Sequence, residues 1–201
     1  SLVGSEMCIR DSYKGIPARL RCGFATYYKP GWYVDHWLCE YWNENENRWV
    51  LVNTEVNEMV RKEYKLKPSF NSLDVNHKQF ILSGKAWQLC RSGKTNPNKF
   101  GVPWINVVGL WFVMGNLLRD LAALNKIELL PWDYTEFTDR QFNNVSELPK
   151  KEIAMVDKVA KAIENVYDNW EEVIEIYQNT PQFQVHEEVI SYTNLGAKRV
   201  K

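Results

Sequence analysis

The feature that most constrains the fold is a pair of aromatic and β-branched segments separated by a short polar one. The first covers residues 32–42, and the second, RWVLV, covers residues 48–52. Residues of these types favour strands, and the intervening residues 43–47 (NENEN) supply turn formers without any apolar side chain. The pattern therefore predicts an antiparallel β-hairpin with strands near residues 32–42 and 48–53.

Two polar side chains are predicted to share one face of this hairpin. His36 lies within the first strand, and Asn53 ends the second. If Trp42 faces Asn47 across a four-residue loop, His36 comes opposite Asn53, with Cβ atoms about 5 Å apart. Asn53 would then accept a hydrogen bond from one ring nitrogen and leave the other free to take a proton. A structural histidine and a turn asparagine are the ordinary alternatives for residues in such positions.

Three motifs of this region resemble the core of the transglutaminase-like superfamily, a papain-like α+β group with a Cys-His-Asp triad. They are GIPARLRCGFATYY from Gly15, PGWYVDHWLCEYW from Pro30 and RWVLVN from Arg48. The resemblance implies that His36 is the catalytic base. It also implies that Asn53 stands where the family usually has aspartate. Asparagine can still orient an imidazole, but it brings no charge to stabilise an imidazolium.

The nucleophile that this resemblance requires is not at its expected position. In the family the catalytic cysteine opens a helix of about four turns before the GIPAR turn, whereas Cys8 precedes Gly15 by only seven residues. Residues 1–12 show no periodicity and look like translated adapter sequence. We therefore predict a non-native scar over residues 1–12, followed by a single transglutaminase-like domain over residues 13–201 that is truncated at its N-terminus. Cys8 remains a candidate nucleophile because the run Cys-Ile-Arg-Asp resembles a family Cys-Arg-Asp run.

The other three cysteines are interpreted as small buried hydrophobic residues. Cys22 lies in the first predicted strand and Cys90 in a helical segment, while Cys39 falls on the strand face opposite His36. The irregular spacing of the four cysteines argues against a disulfide framework and favours a reducing, cytoplasmic location. The three histidines form no metal-ligand pattern, so no metal or cofactor is expected.

The remaining periodicities predict an α+β class with a papain-like or transglutaminase-like core. Asp74 is the predicted cap of a first helix, and apolar residues recur at three and four from Ile153 to Tyr177 in the last one. The predicted antiparallel sheet has strands near residues 16–28, 32–42 and 48–53, packed with helices near residues 74–92, 103–125 and 148–178.

Charge and hydropathy argue against two classes of partner. Lys plus Arg number 25 and so do Asp plus Glu, so no excess charge favours nucleic acid or an anionic membrane. The most apolar segment, residues 102–125, is interrupted by polar residues and favours a buried helix over a membrane span. Within it, Arg119 and Asp120 are predicted to be paired in the core, with substrate contact as the alternative.

Together with the resemblance, these features predict a cysteine-type acyl-transfer or amide-hydrolysis domain that acts on a peptide or protein amide. A thiolate would attack the carbonyl, His36 would move the proton, and Asn53 would orient His36. The chain as written is expected to be inactive because the nucleophilic cysteine is missing. The alternative is a non-catalytic module that uses the same frame, with its aromatic-rich cleft, to bind a peptide or protein.

Overall fold

The computed structural model describes Cys8 and residues 13–127, 129–140, 144–186, 188–193 and 196–200. Over these residues the chain is a mixed α+β structure in which six helices accompany a main sheet with mostly antiparallel pairing. The predicted α+β class is therefore confirmed. Apart from Cys8, the predicted scar over residues 1–12 lies outside the described residues.

The main sheet is built around the long strand β2 (Tyr33–Asn43). Strand β1 (Ala18–Ala25) pairs antiparallel with one edge of β2, and β3 (Arg48–Val52) pairs antiparallel with part of the other edge. These three strands lie close to their predicted positions. Three short strands complete the six-stranded sheet, namely β4 (Phe80–Leu82) beside β1, β5 (Phe100–Val102) parallel to β2, and β6 (Val107–Val108) beside β5.

The hairpin register differs from the predicted one by two residues. Trp42 pairs with Trp49 rather than with Asn47, and the four-residue loop covers residues 44–47. The side chain of Asn43 selects this loop because its Oδ1 accepts the backbone N–H groups of residues 45 and 46. A shift of two residues preserves the strand faces, so the predicted sharing of a face is retained although the predicted pairing is wrong.

The helices differ from the predicted ones mainly at their boundaries. The predicted helix over residues 74–92 begins only at Ser83, because residues 80–82 pair with β1 as strand β4. Asp74 is not its cap and instead accepts hydrogen bonds from Arg48. The helices are α1 (Glu58–Glu63), α2 (Ser83–Arg91), α3 (Leu110–Leu124), α4 (Glu136–Arg140), α5 (Lys150–Glu164) and α6 (Trp170–Asn179).

Two of the predicted helices are shortened or divided. The segment predicted over residues 103–125 forms helix α3 only from Leu110, because β6 precedes it. The segment predicted over residues 148–178 is interrupted at residues 165–169 and forms α5 and α6. A second, three-stranded sheet contains β7 (Asp133–Tyr134), β8 (Val189–Thr193) and β9 (Gly196–Val200).

Helix α3 is the central element of the largest hydrophobic core. Every residue from Trp111 to Leu124 is buried, which confirms the prediction of a buried helix. Phe24 of β1 and Trp87 of α2 belong to the same core, as do residues of α5 and α6. Within the described part of the chain, no helix is both long enough and apolar enough to cross a membrane.

A buried network of four charges joins the sheet to α3. Arg21 of β1 donates to both carboxylate oxygens of Asp120 and, through Nη1, to Glu40 of β2 at 3.1 Å. Arg19 donates through Nε to the same Glu40 oxygen at 2.6 Å. Burial raises the pKa of Glu40, but Arg21 and Arg19 outweigh it and lower that pKa to about 2. Two arginines and two carboxylates therefore balance one another inside the fold.

The predicted pairing of Arg119 with Asp120 is replaced by this network. Asp120 is paired in the core, as expected, but its partner is Arg21. Arg119 is buried as well and donates to Asn116 Oδ1 and to the backbone carbonyl of Asp133. Adjacent residues on a helix point in different directions, which is why these two side chains have different partners.

We predict that Glu40→Gln lowers the free energy of unfolding by about 3–5 kcal/mol, because it removes one charge of a buried network and leaves two arginines undercompensated. Urea denaturation measures this change. The matched control is Glu46→Gln, which removes an exposed partner of Arg48 from the same hairpin. Equal, small effects of both substitutions would contradict a structural role for the buried network.

Candidate active site around His36

His36 lies at a break in the main sheet. On one edge of β2, strand β5 pairs with Tyr33 and Val34, while β3 pairs only from Cys39 onward. Among the described strands, residues 35–38 therefore have no partner on this edge. The break results from two different strands sharing one edge of β2, one parallel and one antiparallel to it, and it leaves space for side chains from the flanking loops.

Tyr28 connects His36 to Asn53. The Tyr28 hydroxyl lies 3.4 Å from His36 Nε2 and accepts a hydrogen bond from Asn53 Nδ2 at 2.9 Å. Asn53 Nδ2 also donates to the hydroxyl of Tyr27 at 2.7 Å, and Asn53 Oδ1 accepts the backbone N–H of Glu55 at 3.1 Å. The structure thus brings the two predicted site residues into one polar network, but Tyr28 lies between them, and Asn53 Oδ1 accepts from the backbone of Glu55 rather than from the imidazole as predicted.

Glu55 is a site residue that the sequence interpretation missed. Its Oε2 lies 3.9 Å from His36 Nε2, and its side chain is 33% exposed. A carboxylate on this side of the ring favours the tautomer that carries its proton on Nε2. In the observed hairpin register, continued beyond Val52, position 55 comes level with His36. The correct loop assignment would therefore have indicated Glu55 from the sequence.

Burial determines the charge state of His36. The side chain is 8% exposed, and burial lowers the pKa of the imidazole below the ordinary value of 6.5. The Glu55 carboxylate and the Asn53 carboxamide raise this pKa in part, but burial has the larger effect. The neutral imidazole is therefore favoured near neutral pH. This is the form that accepts a proton in general base catalysis.

The two tyrosines beside His36 are protonated over the same pH range. Burial raises the pKa of Tyr28 to about 12 and also raises the pKa of Tyr27. Their hydroxyls therefore remain neutral, and Tyr28 can accept from both Asn53 and an Nε2-protonated imidazole. The Tyr28 ring also packs edge-on against the imidazole, with centroids 5.1 Å apart. Tyr28 consequently fixes both the position and the orientation of the ring.

Within the described part of the chain, no cysteine thiol faces His36. Cys8 forms a disulfide with Cys39, with Cα atoms 5.7 Å apart. Cys39 shares a hydrophobic cluster with Cys22 and Trp37 on the face of β2 that alternation places opposite His36. The structure therefore does not bring Cys8 to the imidazole. Cys39 is buried among hydrophobic residues, as predicted, but the expectation that the cysteines form no disulfide is wrong for this pair, for which the irregular spacing contains no signal.

The remaining two cysteines, Cys22 and Cys90, are free and buried, as predicted. Burial raises the pKa of the Cys22 thiol well above its ordinary value and raises that of Cys90 to about 12. Both thiols therefore remain protonated at neutral pH. A thiol in this state is a poor nucleophile, so neither cysteine substitutes for the missing one.

An aromatic surface adjoins the site. The ring of Tyr64 contacts that of Tyr28 at 4.7 Å and that of Trp104 at 6.4 Å. Trp104 is 55% exposed. The ammonium group of Lys29 lies over the rings of both Trp104 and Trp32. This surface, defined by Tyr64, Trp104 and Trp32, offers one exposed and two half-buried rings close to His36.

We predict that His36 makes stability depend on pH just below 6.5. The unfolded imidazole takes up a proton there, whereas the native one has a lowered pKa and does not. The contribution of His36 to the free energy of unfolding is therefore complete above pH 6.5. Below that pH it decreases, by up to about 1.4 kcal/mol for each pH unit, until the pH reaches the pKa of the native imidazole.

Urea denaturation at pH values above and below 6.5 should show this loss in the wild type and a smaller loss in His36→Gln. His77→Gln is the matched control, because His77 is exposed. The same pH dependence in wild type and His36→Gln would show that the imidazole is not buried in its neutral form.

Comparison with known proteins identifies no relative of this chain. No family model, no curated protein and no solved structure matches it. Its function is therefore inferred from its residues and from the geometry around His36.

Proposed function

We propose that His36 is the proton-transfer residue of a transglutaminase-like cysteine acyl-transfer or amide-hydrolysis domain with a papain-like core. The observation that carries this proposal is a buried imidazole at a break in the sheet, with a carboxylate 3.9 Å from its Nε2. Strand β2 presents His36, and the segment after β3 presents Asn53 and Glu55. The α+β class and the three sequence motifs support the same function.

The geometry suggests separate roles for the two ring nitrogens. With its proton on Nε2, the imidazole donates toward Tyr28 and Glu55 and keeps Nδ1 as the basic nitrogen. Nδ1 would take the proton from a cysteine thiol, the thiolate would attack the amide carbonyl, and the imidazolium would return the proton to the leaving amine. Glu55 would supply the negative charge that Asn53 lacks, which stabilises the imidazolium.

The substrate in this proposal is an amide of a peptide or protein. The surface formed by Tyr64, Trp104 and Trp32 lies beside His36 and can pack against apolar side chains of such a chain. The acyl acceptor would be either an amine or water. Both follow from the same acyl-enzyme step, and access of water to that intermediate decides between them.

The test requires a thiol in front of Nδ1, so it uses the protein expressed from its genomic locus. We predict a cysteine that iodoacetamide labels rapidly at neutral pH, because a neighbouring base increases its thiolate fraction. His36→Ala should slow this labelling by at least about tenfold, the lower range for a general base. His77→Ala, at an exposed site, is the control and should leave the rate unchanged.

Equal labelling rates in the wild type and in His36→Ala would contradict the proposal. Retained amide hydrolysis or acyl transfer in His36→Ala would contradict it as well. The 201-residue chain by itself should show neither activity. The same labelling experiment on Glu55→Gln separates the effect of this side chain on imidazole orientation from the effect of its charge. Glutamine keeps the size of the side chain while it removes the carboxylate.

A non-catalytic peptide-binding module is the second candidate, and one observation favours it. The Asn53 carboxamide is bonded to Tyr27, to Tyr28 and to the backbone of Glu55, as expected for a structural residue. A module of this kind would use the aromatic surface around Trp104. Two results together would support this second candidate. No cysteine of the genomic protein would be labelled in a His36-dependent way, and Trp104→Ala would abolish peptide binding.

A further inference from the structure

A cavity lies among β2, α3, β7 and β8, separate from the network around His36. Its volume is about 280 Å³, close to the lower end of the range for small-molecule sites. Five aromatic side chains form much of its wall, namely Trp111, Phe112, Trp132, Tyr134 and Tyr192. The Tyr134 ring packs against two of the others, with its centroid 5.8 Å from that of Trp111 and 5.5 Å from that of Tyr192.

The charged residues in the described wall of this cavity are both acidic. Asp35 accepts a hydrogen bond from Asn116 Nδ2 at 2.7 Å, and Asp139 accepts one from the hydroxyl of Tyr192. Neither forms an ion pair within the part of the chain that the structure describes. Both donors are neutral groups, so they hold the carboxylates in place without neutralising them.

Two further charged groups lie next to the cavity wall. Asp133, between Trp132 and Tyr134 in the chain, is 7% exposed, and its Oδ1 has no hydrogen-bond partner among the described residues. The guanidinium of Arg119 lies 4.9 Å from the centroid of the Tyr134 ring. Together with Asp35 and Asp139, these groups comprise one cation and three carboxylates, so their summed charge is negative.

We propose that this cavity binds a small organic ammonium ion. Aromatic faces attract a cation through their quadrupole, and nearby carboxylates add a favourable charge interaction in a partly desolvated site. A neutral ligand of the same shape would gain only the apolar contacts. An anion would be repelled. Alkyl groups on the ammonium nitrogen would add apolar contacts with the aromatic wall.

This site is independent of the proposed catalytic function. Asp35 precedes His36 in the sequence, but successive strand residues point to opposite faces. Asp35 contacts Asn116 of α3, whereas His36 contacts Tyr28. A substitution of His36 should therefore leave ammonium binding unchanged.

The test compares choline with 3,3-dimethyl-1-butanol, a neutral molecule of nearly the same shape, by isothermal calorimetry on the full chain. Choline should bind at least about tenfold more tightly, because only the cation interacts with the ring faces and the carboxylates. Asp139→Asn should weaken choline binding by about tenfold and leave binding of the neutral molecule unchanged. The asparagine oxygen can still accept from Tyr192, which preserves the wall.

The matched control is Glu136→Gln, which removes an exposed carboxylate from the same helix, α4. It should leave the affinity for choline unchanged.

Tyr192→Leu, with circular dichroism as a check on folding, removes one ring and should weaken choline binding through a different interaction. Equal affinities for the two molecules, absence of choline binding, or an unchanged affinity in Asp139→Asn would each overturn the proposal. Loss of choline binding in His36→Ala would overturn its independence from the catalytic site.

Discussion

The interaction on which the rest of the structure depends is the pairing of Arg21 with Asp120 and Glu40. Arg21 is fully buried, and its guanidinium connects strand β1 with β2 and with helix α3. Asp120 also accepts from the Ser83 hydroxyl at the start of α2, and Glu40 accepts from Tyr167 between α5 and α6. A buried charge needs its partners in fixed positions, so this network constrains how the helices pack on the sheet. Since Glu40 and His36 belong to the same strand and face, it also fixes the strand that presents the candidate base.

The parts of the fold that follow from local periodicity could be predicted from the sequence, whereas those determined by distant contacts could not. The hairpin strands and the buried helix α3 follow from residue type and spacing. The hairpin register does not, because registers two residues apart bury the same faces, and specific contacts such as the hydrogen bonds of the Asn43 side chain favour the observed one. The break between α5 and α6 was missed for a similar reason: apolar spacing continues through it, while Tyr167 is directed to Glu40 by tertiary structure.

The candidate site was only partly accessible to the same reasoning. His36 and Asn53 stand in motifs that resemble a known family, and the structure places both in one network. Tyr28 comes from a turn, where no periodicity indicates the direction of a side chain. Glu55 follows β3, and its position opposite His36 could be inferred only from the correct hairpin register. The disulfide of Cys8 joins residues far apart in sequence and could not be inferred from cysteine spacing. Glu55 thus places a carboxylate beside the imidazole, although the aspartate expected at position 53 is absent.

The central claim is that His36 is a neutral imidazole whose Nε2–H points to Tyr28 and Glu55. An NMR titration of its ring nitrogens measures the tautomer and the pKa directly in the chain as it stands. We expect the Nε2-protonated tautomer, with a pKa below 6.5 that falls further in Glu55→Gln because the carboxylate raises it. An Nδ1-protonated ring, a pKa at or above 6.5, or a pKa that does not respond to Glu55→Gln would contradict it.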